Sequence, residues 1–174
     1  MESGRKNIEV SKFNLGEVVE EAVSIFNINL KEKNLELKVH VGDILMKSDR
    51  RRLLQCLMNL LGNAIKYTEK GRVEITAKVI DNNVEISVID TGIGIKTEDI
   101  PKLFGPFVRL QSPLTFKTSG TGLGLYLVKK LATDFLGGDV DVGSEYGIGS
   151  TFTLHVPVEL EWSKKSKYLR HITD

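Results

Sequence analysis

Two alternating runs joined by a tight turn constrain this chain most. Val73, Ile75, Ala77 and Val79 recur at every second position, as do Val84, Ile86 and Val88, with Asp81-Asn82-Asn83 between them. A period of two puts the apolar side chains of each run on one face. Asp and Asn tolerate the backbone of a sharp reversal. The spacing therefore predicts an antiparallel hairpin, buried on one face. Such a pair in mid-chain argues against an all-parallel, doubly wound sheet, in which crossover helices separate the strands.

Helical periods fall on both sides of this hairpin. Asn14-Leu-Gly-Glu17 has the shape of a capping box,. Val18, Val19, Ala22, Val23 and Phe26 then predict an amphipathic helix running to about Lys33,. A short strand is expected around Val10 to Phe13, and a half-buried one from Leu35 to Val41,. Asp49 is placed to cap a second helix reaching about Thr68, with Cys56 on its core side,. A third helix is expected from near Gly122 to Gly137-Gly138, followed by strands around Val140 to Ser144 and Thr151 to Pro157. The order favours a two-layer α/β sandwich, a mixed and mostly antiparallel sheet covered on one face by helices.

With 174 residues, 41% apolar and 27% charged, the chain suits one soluble domain with a substantial core. The net charge of +1 provides no strong field for nucleic acid,. The single cysteine cannot close an internal disulfide, which fits a reducing compartment,. Residues 1–9 are polar, with no signal peptide, and no run approaches the length that spans a bilayer,. Residues 159–174 form a polar, basic tail that contains Lys164, Lys165, Lys167 and Arg170.

Four local patterns carry chemistry. On the helix from Asp49, Arg52, Gln55, Asn59, Asn63 and Lys66 gather on one face, and Leu53, Leu57, Leu60, Leu61, Ala64 and Ile65 on the other, with Tyr67 at the border,. Amide oxygens suit a hard cation such as Mg²⁺, and a lysine suits phosphate. A solvated polar face would look the same. Asp90-Thr91-Gly92-Ile93-Gly94 ends the hairpin's second strand, where a carboxylate can accept from an amino group and the glycines admit a ligand,. Gly120-Thr121-Gly122-Leu123-Gly124 opens a helix, which makes an anion site or a hinge,. It lacks the Gly-Lys-Ser/Thr of a Walker A loop and does not follow a strand, so it is not a Rossmann turn. Gly147-Ile148-Gly149-Ser150-Thr151 reads as a turn into the last strand. The stretch 91–121 keeps no period and repeatedly meets Gly and Pro; irregular segments of that length inside a domain are usually functional,.

In this order the four patterns resemble the boxes of the GHKL ATPases and kinases, over residues 49 to 156. Asp49-Arg50-x-Arg52-Leu-x-Gln55-x-x-x-Asn59-Leu-Leu-x-Asn63-Ala-x-Lys66-Tyr67-Thr68 is similar to the N box of sensor histidine kinases, and Phe104-x-x-Phe107-x-Arg109 resembles their F box. Gly105 and Pro106 stand where that box usually has a glutamate after its first Phe. In the hydrolase branches of the family a glutamate sits four residues before the metal-binding asparagine. Here that position is Asn59, and an amide cannot take a proton near pH 7,.

The resemblance implies a Bergerat-type fold over residues 10–158, with an ATP lid at about 95–121 and a lead-in at 1–9 from a helical hairpin upstream. It implies that Asn63 binds Mg²⁺ with help from Asn59, that Lys66 meets phosphate, and that Tyr67 lines the adenine side. Asp90 would accept from the adenine amino group, beside Gly92 and Gly94, with Thr151 nearby through water. The backbone of Gly120, Thr121, Gly122, Leu123 and Gly124 would hold the phosphates, and Arg109 would meet either the γ-phosphate or a partner domain. The implied function is that of the catalytic domain of a two-component sensor histidine kinase, presenting Mg-ATP for γ-phosphoryl transfer. The histidine would lie on an upstream dimerisation and phosphoacceptor domain, with a response regulator downstream. The fragment itself is expected to be monomeric and cytoplasmic, whether or not its parent is membrane-anchored. None of this chain's histidines suits the acceptor role: His40 and His155 lie on the polar faces of predicted strands, and His171 lies in the tail. Two other readings remain open, a stand-alone serine kinase of the anti-sigma-factor type and a nucleotide-binding switch without transfer.

Overall fold

In the computed structural model, which describes residues 7–110 and 120–161, the elements run β1 (Val10–Asn14), α1 (Leu15–Ile25), α2 (Asn27–Glu32), β2 (Glu36–His40), β3 (Leu45–Asp49), α3 (Arg50–Lys66), β4 (Arg72–Ile80), β5 (Asn83–Asp90), a 3₁₀ turn (Ile100–Lys102), α4 (Gly124–Asp134), β6 (Asp139–Glu145) and β7 (Gly149–Pro157). Residues 1–6 of the expected lead-in, 111–119 of the expected lid, and the expected tail from 162, with His171, lie outside the described residues.

The expected hairpin is the middle of the main sheet. Its five strands are ordered β2-β4-β5-β7-β6, and only β2 and β4 run parallel. Ile75 stands opposite Val88, and Val88 opposite Phe152, so one face collects the alternating apolar residues of three strands. Val73, Ile75, Val84, Ile86, Val88, Leu154 and Val156 are all buried there, beneath the apolar stripes of α1, α3 and α4. The other face is polar: Ser87 and Thr153 share a hydrogen bond of 2.9 Å, and His155 lies 2.7 Å from Asp141. This is the two-layer sandwich that the period switches predict.

Helix α3 carries much of the candidate site, and both its ends are fixed. Asp49, fully buried, caps it by accepting from the Arg52 backbone at 3.2 Å. The same carboxylate pairs with the Arg52 guanidinium and accepts from the Glu9 backbone at 3.1 Å. Arg52 lies 4.1 Å above the Phe135 ring. At the far end Lys33 donates to the Ile65 carbonyl at 2.7 Å and the Lys66 carbonyl at 3.1 Å. A cation there satisfies orphan carbonyls and opposes the negative end of the helix dipole.

Several elements differ from expectation. The single helix from Asn14 to Lys33 is two, broken at Phe26. The break lets the Phe26 ring seat against Gly62 while Leu30 turns inward, and leaves Ile25 and Ile28 exposed. Asn14 caps α1 by accepting from Gly16 at 2.8 Å, a local turn rather than a closed capping box. Strand β2 is the sheet's edge and mostly exposed, not half-buried. The third helix begins at Gly124, two residues late. Strand β3 lacks an alternating signature; Met46 is its one inward apolar side chain. β1 pairs with one side of β3, and residues 158–160 pair with the other through Lys47.

Candidate functional site

One cavity of about 300 Å³ lies between α3, the loop after β5, the start of α4 and the β6–β7 turn. The stripe that buries Leu53, Leu57, Leu60 and Leu61 turns Asn59, Asn63 and Lys66 toward it. The Asn59 side-chain nitrogen donates to the Gln55 carbonyl at 3.0 Å. Its oxygen is thereby left facing Gly124 at the head of α4, where a Cβ would stand 3.0 Å from it. An amide oxygen aimed into the cavity beside the N–H groups of a helix start fits a hard cation that accompanies an anion.

Asp90, the last residue of β5, points to the core side and is 7% exposed. It accepts from the Gly92 backbone at 2.8 Å. Burial pushes its carboxyl up to about 6, while the Gly92 and Ser150 N–H groups pull it partly back. Gly94 adopts φ +69°, and a Cβ there would collide with the Glu145 carbonyl, so the turn after Asp90 packs directly on the β6–β7 hairpin. Gly147 secures this contact by donating to the Ile93 carbonyl at 2.6 Å.

Two cations face the same space. Burial lowers the Lys66 ammonium from its ordinary range, and the nearby Arg109 guanidinium lowers it further. The Tyr67 hydroxyl is raised by burial, against the pull of Arg109. Two like charges held close favour an anion between them. Gly122, at φ +75°, packs on the backbone of Phe107 and Val108, which brings the two flanks of the 111–119 segment together. Phe104 meets Phe152 edge-on, with centroids 6.4 Å apart. Phe107 is 74% exposed.

Of the residues singled out in the sequence, Asn59, Asn63, Lys66, Tyr67, Asp90, Gly94, Arg109, Gly120, Thr121, Gly122 and Gly124 line this cavity. Three others do not. Gly92 sits behind Asp90 and holds its carboxylate. Leu123 precedes α4, and its carbonyl accepts from Leu127 at 2.8 Å. Thr151 falls opposite Ile89 and Gly143, on the polar face of the sheet, so its side chain is directed away from Asp90. The neighbour Ser150 is the residue that stands opposite Asp90, buried and in the cavity. Strict counting by two from the buried Phe152 would have found it. Ile93, Ile95, Leu103, Leu125 and Tyr146 also line the cavity; they lie in irregular segments or at element ends, where period gives no signal. One wall thus offers a carboxylate among apolar side chains, and another offers cations and a helix start. The pair suits a ligand with a flat hydrogen-bonding group and a polyanionic tail.

Comparison with known proteins agrees with this chemistry. The family model for "Histidine kinase-, DNA gyrase B-, and HSP90-like ATPase" matches residues 48–160. The Autoinducer 2 sensor kinase/phosphatase LuxQ of Vibrio cholerae is 38% identical over 92% of this chain, which spans only 19% of LuxQ. The catalytic domain of histidine kinase ThkA superposes with a TM-score of 0.76 at 31% identity, covering 87% of this chain and 97% of that one. Full-length ShkA, solved in complex with AMPPNP, has a TM-score of 0.76 at 31% identity over 90% of this chain and 33% of its own.

Proposed function

Because the chain belongs to the family of histidine kinase-, DNA gyrase B- and HSP90-like ATPases, we propose that its cavity holds Mg-ATP and presents the γ-phosphoryl group to a histidine on a separate dimerisation and phosphoacceptor domain. The ATP-binding catalytic domain of a histidine kinase is the general reading. On this reading the chain works in the cytoplasm with Mg²⁺, between an upstream acceptor domain and a downstream response regulator.

Asp90, with Ser150 beside it, receives the amino group of the base, and Ile93, Ile95 and Phe152 enclose the ring. Lys66, Arg109 and the N–H groups leading into α4 hold the phosphates. Asn63 and the oxygen of Asn59 are the donor set for Mg²⁺, whose role is to neutralise charge on the transferring phosphates. Phosphoryl transfer depends mainly on positioning and charge stabilisation, and these groups supply both. The residues from Ile95 to Thr121 act as a lid.

The observation that carries the reading is the convergence of Asp90, Lys66, Arg109 and the α4 start on one cavity whose α3 wall has an amide, Asn59, in place of a carboxylate. A water-activating base is missing from that position, so the site favours transfer over hydrolysis. The test is γ-labelled ATP supplied to this chain with a separately produced helical hairpin domain from a relative. Label on a hairpin histidine supports the reading; rapid phosphate release with no labelled histidine overturns it.

A further inference from the structure

Ser144 in β6 faces the core side of the sheet, directly opposite Ser150 in β7. Its hydroxyl makes three contacts. It receives the Ile95 backbone N–H at 2.8 Å, it donates to the Gly149 carbonyl at 2.8 Å, and it lies 2.8 Å from the Ser150 hydroxyl. A serine hydroxyl has one proton and two lone pairs. A carbonyl can only accept, so the proton of Ser144 is committed to Gly149. The contact between the two serines is then a hydrogen bond only if Ser150 is the donor. That spends the single proton of Ser150 and leaves it facing the cavity with lone pairs alone. Across the strand pair stands Asp90, whose ionised carboxylate is also purely an acceptor,.

We propose that Ser144 is a positioning residue: it fixes the Ser150 hydroxyl as a hydrogen-bond acceptor and thereby sharpens the discrimination between a 6-amino and a 6-oxo purine at the wall that Asp90 forms. The inference rests on the nucleotide reading above. An exocyclic amino group meets two acceptors as a donor. A 6-oxo group brings a third acceptor to the same wall and leaves buried groups unpaired, the situation in which polar sites discriminate most strongly. The Ile95 N–H keeps the Ser144 oxygen from turning, so the preference is built into the place where the sheet meets the start of the lid.

The test compares ATP with inosine triphosphate, which replaces the 6-amino group by an oxo group, using calorimetry on the 174-residue chain with Mg²⁺. Wild-type protein is expected to prefer ATP. Ser144→Ala should narrow the ATP-to-ITP affinity ratio by about three- to tenfold, the range of one neutral hydrogen bond. Ser144→Thr, which keeps the hydroxyl, should retain the ratio. In a Ser150→Ala background, Ser144→Ala should change the ratio no further, because it acts through Ser150. Equal losses for both nucleotides, or effects that add in the double variant, overturn the inference. If circular dichroism shows Ser144→Ala to be unfolded, Ser150→Ala alone must narrow the ratio, and an unchanged ratio is decisive against it. Wild-type protein that binds ATP and ITP equally sinks this inference alone, whereas binding of neither sinks the nucleotide reading itself.

Discussion

At Asp90 stability and binding pull in opposite directions. Its carboxyl stands at about 6 in the folded chain against an ordinary 3.8. A carboxyl raised in this way contributes stability below about pH 4, and that contribution is lost as pH rises through about 6. Asp90→Asn keeps the shape and removes the buried charge, so at pH 7.5 it is expected to raise the melting temperature, by up to about 3 kcal/mol of stability. The gain should vanish near pH 4 in calorimetric scans. The same change removes a charged acceptor and should weaken ADP binding about 10- to 100-fold at pH 7.5, while Asp139→Asn, on the exposed face, should leave it unchanged. The gap between wild type and Asp90→Asn should close as pH falls below about 6. At this scale most of the site is legible in the sequence, because the glycines and the polar stripe of α3 have fixed spacings. The assignment of Thr151 fails by one residue. In a strand one residue is a whole face, and Ser150 holds the inward position.

Helix α3 shows what an element needs in order to present a site. Asp49 serves as its cap, as the partner of Arg52 and as the acceptor for Glu9. Removing one member of a buried ion pair strands the other, so Asp49→Ala is expected to destabilise the chain by about 3–5 kcal/mol; urea unfolding with an unchanged m-value measures this. The cap at Asp49 is readable from sequence, since Asp before an apolar period is a start signal. The cation at the other end is not: Lys33 reaches α3 from 32 residues away along the chain, and no local pattern encodes that. The break at Phe26 is hidden for the same reason, because the seat at Gly62 that rewards it is tertiary. The proposed lid is tested separately. Amide exchange over residues 95–110 should slow when Mg-ADP is added, since this stretch has little regular structure, lines the cavity and would be tied down by a ligand there,. Equal exchange with and without nucleotide counts against a lid.

For the molecule as a whole, the absence of a carboxylate at Asn59 sets the expected behaviour in solution. The chain alone should bind ATP, release phosphate slowly, and label none of its own histidines. With a phosphoacceptor hairpin added, label should move to a histidine, and Asn63→Ala should reduce that transfer by at least about 100-fold through loss of a metal ligand. Labelling that survives Asn63→Ala defeats the metal assignment. The α/β class is legible at this scale from the hairpin and the alternation of periods, and so is β1, but its partner β3 is not, and the small ribbon the two form has a topological consequence. Glu9 is bonded to Asp49, and Leu160 to Lys47, so the entering and leaving strands flank β3 and finish at the same end of it. Two strand spacings amount to about 10 Å. A short glycine-serine linker from residue 161 to residue 7 would close the backbone into a ring, and new ends could be opened at the exposed loop by Gly42, where nothing crowds the chain. Such a circular permutant should fold with a melting temperature close to that of the parent and keep its affinity for ADP, because the order of connection would change while every wall of the cavity stays where it is.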